Sequence, residues 1–112
     1  MERFVKGDIV VIPFPFSDLS GNKKRPALVI ANLRGDDILL CQITSQQSND
    51  PFALALNSTG FFSGSLPVNS FIRPLRIFTA DKSIIFRKAG KITPELMTKV
   101  IDGIIFILKH DS

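Results

Sequence analysis

The sequence predicts a mainly β fold closed by one C-terminal α-helix, and three features carry that expectation. Short apolar runs rich in β-branched residues recur with turn residues between them. Prolines at 51, 67 and 74 mark the ends or edges of later runs. The period of apolar residues changes from strand-like to helical only after Gly90. Turns about every eight to twelve residues describe an antiparallel sheet or a small barrel. No repeat, low-complexity tract or linker interrupts the 112 residues, so one domain over 1–112 is expected.

The elements follow in order. Asp8 to Phe14 (DIVVIPF) reads as the first strand, and Pro15 to Lys24, holding Asp18, Ser20, Gly21 and Asn22, as the loop after it. Pro26 to Ala31 (PALVIA) is almost continuously apolar, as in a strand buried on both faces. Gly35 punctuates before a third strand, Asp37 to Thr44 (DILLCQIT). Further short strands are expected at Phe52 to Leu56, Leu66 to Ile72, Leu75 to Thr79 and Ile84 to Phe86. Then Thr93 is placed as a helix N-cap, Pro94 suits the first helical position, and Glu95 puts negative charge near the N-terminus. Leu96, Met97, Val100, Ile101, Ile104, Ile105 and Leu108 recur at three- and four-residue intervals, which predicts a helix from Pro94 to about Lys109. Phe106 and Ile107 make it apolar nearly all round, and a homodimer contact is the simplest second surface for it.

Composition bounds the function. Apolar residues at 45% can fill a core, and a net charge of +4 favours an anionic partner such as a phosphate backbone or an acidic polypeptide. Cys41 is the only cysteine, which excludes an intrachain disulfide and a cysteine-based zinc site and suits a reducing cytoplasm. The charged N-terminus, with Glu2, Arg3 and Lys6, does not read as a signal peptide. The apolar stretch Val100 to Leu108 is too short to span a bilayer, so no membrane partner is expected.

Three segments carry a family resemblance. Lys6-Gly7-Asp8-Ile9-Val10 opens the chain ahead of a Pro/Phe-containing loop; Lys24-Arg25-Pro26-Ala27-Leu28-Val29-Ile30 forms an Arg-Pro strand; Cys41-Gln42-Ile43-Thr44-Ser45-Gln46 ends a strand in hydroxyls. In this order, with the helix after Gly90-Lys91-Ile92-Thr93-Pro94, the chain resembles the MazF/PemK family of toxins over nearly its whole length. The resemblance implies an SH3-like small barrel of MazF/PemK/CcdB type and a homodimer. It further implies sequence-selective cleavage of single-stranded RNA by 2′-OH attack, with neither metal nor other cofactor. A cognate antitoxin, whose disordered tail threads into the RNA groove, is the expected protein partner.

Such cleavage needs a group to deprotonate the 2′-OH, a proton for the leaving 5′-oxygen, and stabilisation of a crowded, anionic phosphorane. Arg25 is the candidate for the last task, because a guanidinium stays charged and forks onto two phosphate oxygens. The resemblance also sets Arg25 near the scissile phosphate and Thr44 as the catalytic hydroxyl, able to bond the phosphate or orient the 2′-OH. Lys23 and Lys24 are candidate phosphate contacts. Ser45 and Gln46 offer donors and acceptors to base edges or phosphate. Phe16 and Ser17 belong to the loop beside the groove, where an aromatic ring can stack a base. Arg73 matches an arginine that some members use at the RNA site, although Leu75 stands where an acidic residue often follows. No general base is evident. Asp18 has only its loop position in its favour, and His110 lies just past the helix. Cys41 reads as a small buried hydrophobe, and Lys82, Arg87, Lys88 and Lys91 as a solvated strip. The alternative function is a non-catalytic toxin or binding module of the same fold. The presence of both Arg25 and Thr44 favours cleavage.

Overall fold

Three antiparallel strands form the centre of the molecule, and they fall on the first three apolar runs of the sequence. The computed structural model describes residues 3–13, 23–47 and 49–110. β1 (Asp8–Pro13) pairs with β2 (Lys24–Asn32), and β2 with β3 (Asp37–Thr44). Side chains alternate across a strand, and here both faces are buried. Ile9, Leu28, Cys41 and Ile43 point to one side; Val10, Ile12, Ala27, Val29, Ile38 and Leu40 point to the other. That two-sided burial is why PALVIA has no polar alternation.

The remaining strands are β4 (Leu54–Leu56), β5 (Phe61–Gly64), β6 (Ser70–Asp81) and β7 (Arg87–Ile92). All seven form one sheet in the order β4-β6-β3-β2-β1-β7-β5. Were the sheet flat, six spacings of about 4.8 Å would set β4 about 29 Å from β5. Only Asn57–Gly60 joins them, and five Cα steps reach about 17 Å at most. The sheet therefore curls into a nearly closed barrel. The joining segment is a 3₁₀ turn, Ser58–Gly60, in which Asn57 Oδ1 accepts from Thr59 N at 3.1 Å. A Cβ at Gly60 would stand 2.9 Å from the Leu96 side chain and 3.2 Å from that of Leu56, so glycine lets the end of β4 and the first turn of the C-terminal helix close on this segment.

α1 (Pro94–His110) packs on β6 and covers the first core with Met97 and Val100. Its N-terminus is capped as expected: Leu96 N donates to Thr93 Oγ1 at 3.2 Å, and Met97 N to Thr93 O at 3.0 Å. Leu96, Ile101 and Ile104 are partly buried against the core, whereas Ile105, Phe106 and Leu108 are exposed. No helix among the described residues is long and apolar enough to cross a membrane.

Three expectations change. The runs either side of Pro74 are one strand, not two. Gln42 pairs with Arg73 and Cys41 with Ile77, so Pro74, Leu75 and Arg76 bulge out of the ladder between them. A proline in a bulge owes no N–H to the ladder and breaks nothing. Second, Phe61–Gly64 is a strand rather than a connection. Third, the strand near the end of the β region is Arg87–Ile92, whereas Lys82–Ile84 makes a 3₁₀ turn. Of the expected solvated strip, Arg87 and Lys88 are exposed, but two of its lysines also have a buried partner. Lys88 and Lys91 bracket the Asp8 carboxylate at 3.3 and 3.6 Å, and Asp8 is almost fully buried.

Candidate functional site

Period-two geometry sorts the candidate residues onto one face. Val10 pairs with Ala27, Ala27 with Gln42, and Gln42 with Arg73, so these four side chains form a row across β1, β2, β3 and β6. One row further toward the strand ends, Ile12 pairs with Arg25 and Thr44 with Phe71. The β2–β3 pairing ends at Ala27–Gln42, and alternation along each strand leaves Arg25 and Thr44, each two residues further on, on the face of that pair. Arg25, Thr44, Gln42 and Arg73 thus share the face that carries the second core. All four are half-buried, where Val29, Ile38 and Leu40 fill the other end of the same face. The apolar floor stops and a polar surface with two guanidinium groups begins.

Each of these groups is oriented by its own local chemistry. Gln46 N donates to Thr44 Oγ1 at 3.1 Å, in a turn that closes at the end of β3. A threonine hydroxyl accepts and donates, so its hydrogen remains to be directed elsewhere. Arg73 Nε lies 3.2 Å from Asp50 Oδ2, and Asp50 Oδ1 accepts from Phe52 N at 2.9 Å. Lys24 stands with its Nζ 3.6 Å from the centre of the Phe86 ring. That ring holds the ammonium at the start of β2, next to Arg25. Lys23, Ser45 and Gln46 are exposed. A cleft of about 150 Å³ opens beside the start of β2, lined by Lys24, Arg25, Ser45 and the segment from Leu66 to Val68.

The structure therefore brings together Arg25, Thr44 and Arg73 on one face, with Lys24 and Ser45 at its border. Phe16 and Ser17, with Asp18, lie outside the described residues. His110 stacks on Phe106 at the far end of α1, 4.4 Å between ring centres. Cys41 is buried, and desolvation pushes its thiol up to about 12, so it serves as a small hydrophobe. Among the described residues no three His, Cys, Asp or Glu side chains cluster as a metal site requires.

Two residues of the site were not singled out from sequence. Gln42 had a readable signal, since Cys41-Gln42-Ile43-Thr44 alternates apolar and polar and so puts Gln42 beside Thr44. Asp50 had none, because its partner Arg73 is 23 residues away and meets it only through the fold.

No curated protein sequence matches this chain. Among solved structures, it superposes on a mycobacterial endoribonuclease in complex with its cognate antitoxin with a TM-score of 0.74 at 18% identity, covering 98% of this chain and 99% of the other. The MazE–MazF complex of Deinococcus radiodurans gives 0.76 at 18% identity, over 97% and 98% of the two chains. The Mycobacterium tuberculosis MazF toxin gives 0.71 at 13%, over 94% and 99%. Similarity at this level speaks for the barrel. The sequence match is more specific: residues 5–108 fit the profile of PemK-like, MazF-like toxins of type II toxin–antitoxin systems, and the chain belongs to that family.

Proposed function

We propose that the chain is the toxin of a type II toxin–antitoxin pair and acts as one domain over residues 1–112, an endoribonuclease that cuts single-stranded RNA without a metal or other cofactor. The observation that carries the reading is the register of β2 and β3. Arg25 and Thr44 each lie two residues beyond its last pair, Ala27–Gln42, on a face where the apolar floor gives way to polar groups, which supports their acting together. In the reaction the 2′-oxygen gives its proton to solvent and attacks the adjacent phosphorus, the bond to the 5′-oxygen breaks as that oxygen takes a proton from solvent, and the products end in a 2′,3′-cyclic phosphate and a 5′-hydroxyl. Arg25 forks onto the non-bridging oxygens as their charge grows. Thr44 donates its hydroxyl hydrogen to the phosphate or holds the 2′-OH in line. Arg73, Lys23 and Lys24 bind flanking phosphates, and Ser45 and Gln46 meet bases or backbone.

The same face is where an antitoxin tail would compete with RNA. A homodimer is supported by the exposed Ile105, Phe106 and Leu108 on α1, since apolar groups clustered on one helix end mark an association surface. The substrate and the lone thiol Cys41 suit a cytoplasmic protein.

The test is to incubate the purified protein with a long single-stranded RNA in EDTA and map the ends, with Arg25→Ala prepared alongside. Discrete cuts bearing 2′,3′-cyclic phosphate, absent with Arg25→Ala, are the expected result. A folded protein that leaves several RNAs intact would replace this reading with that of a non-catalytic binding module.

A further inference from the structure

We propose that Asp50 is a positioning residue for Arg73. It holds the guanidinium by its Nε edge so that the paired Nη groups meet the RNA phosphate, and this inference rests on the ribonuclease reading above. Asp50 lies in the turn between β3 and β4. Its side chain is only 8% exposed, so its carboxylate needs partners inside the protein. Two are built in: Phe52 N donates to Oδ1 at 2.9 Å, and Arg73 Nε donates to Oδ2 at 3.2 Å. The main chain of the same residue closes the turn, with Ala53 N donating to Asp50 O at 3.2 Å. The carboxylate is thus fixed by its own backbone before it meets the arginine.

That geometry matters because a guanidinium is planar and has two useful edges. Engaging Nε from the side fixes the plane and leaves the head-on pair of Nη groups as the fork for two phosphate oxygens. Arg73 is 21% exposed, reachable from solvent yet held. It sits in the row with Gln42, two strands and about 10 Å from β2, so one extended RNA backbone can touch both Arg25 and Arg73. β6 carries no carboxylate of its own before Asp81, so the neighbouring loop supplies it. One end of this loop, Gln46, pins the Thr44 hydroxyl; the other, Asp50, pins Arg73. Two groups of the site therefore take their orientation from a single segment.

The test is a double-mutant cycle on the cleavage rate of one single-stranded RNA, using wild type, Asp50→Asn, Arg73→Ala and the double variant, with a thermal melt for each. Asp50→Asn is expected to lose about 10–100-fold in kcat/KM, the cost of a misplaced contact. The double variant is expected to be no worse than Arg73→Ala alone, because a residue that acts only through another adds nothing once that other is gone. Losses that multiply in the double variant would overturn the inference, as would wild-type activity in Asp50→Asn. Should Asp50→Asn not fold, Arg73→Lys keeps the charge and removes the oriented fork. It is then expected to lose as much as Arg73→Ala, and full activity in it overturns the inference. An inactive wild type overturns this inference and the ribonuclease reading together, whereas an active wild type with an unaffected Asp50→Asn overturns this inference alone.

Discussion

Thr44 shows how little separates a strand terminus from a candidate catalytic group. By propensity it is a β-branched residue ending β3, and it does end it. Its hydroxyl also accepts from Gln46 N at 3.1 Å, on the same face as Arg25 and Arg73. Thr44→Val keeps the shape and removes the hydroxyl. Gln46 N can turn to water at this exposed end, so stability should move by less than about 1 kcal/mol. Cleavage should fall about 10²–10³-fold if the hydroxyl donates to the developing charge, while Thr44→Ser should keep much of the rate. Equal rates for Thr44→Val and wild type, measured by single-turnover cleavage, would remove Thr44 from the chemistry. At this scale the sequence was partly legible. Arg25 and Thr44 were readable through resemblance, and Gln42 through alternation. Asp50 was hidden because an ion pair between distant segments depends on register, which no local pattern encodes.

Among elements, β1 to β3 were legible because burying both faces leaves a run of Val, Ile and Leu that little else produces. The helix was legible through its cap and period. The second half was harder for a physical reason: its strands are held by features that sequence patterns treat as breakers. Pro74 sits inside β6 in a bulge, and Gly64 adopts φ +74° in β5, where a Cβ would fall 2.3 Å from Ala89 O. β7 is rich in Lys and Arg because two of its lysines face Asp8. That carboxylate also accepts from Val5 N at 2.8 Å, so it ties the N-terminal turn to β7. Asp8→Asn would leave two half-exposed lysines able to return to water, but would lose charge-assisted bonds around a buried group. We expect a loss of about 2–3 kcal/mol, read as a lower urea midpoint at unchanged m-value. A midpoint within error of wild type would make Asp8 dispensable to the fold.

On the scale of the whole molecule, the net charge of +4 says less than where the cations are spent. Lys88 and Lys91 serve Asp8, and Lys82 Nζ lies 3.3 Å from Gly35 O. Arg25, Arg73, Lys23 and Lys24 are grouped around the ends of β2, β3 and β6, with Arg73 tied to Asp50 and Lys24 over Phe86, so RNA should be gripped by few cations rather than by the surface at large. Each phosphate neutralised on a single strand contributes about −0.7 to the slope of log K against log salt. Four contacts predict a slope between about −2 and −3. Thr44→Val, which keeps every cation, is the variant in which to measure it by RNA titration. Removing Arg73 in that background should flatten the slope by about 0.7 and weaken binding across sequences alike. A slope near zero would mean that charge does not hold the RNA. One steeper than about −5 would mean that the lysines of β7 join the contact, and that their service to Asp8 is not exclusive.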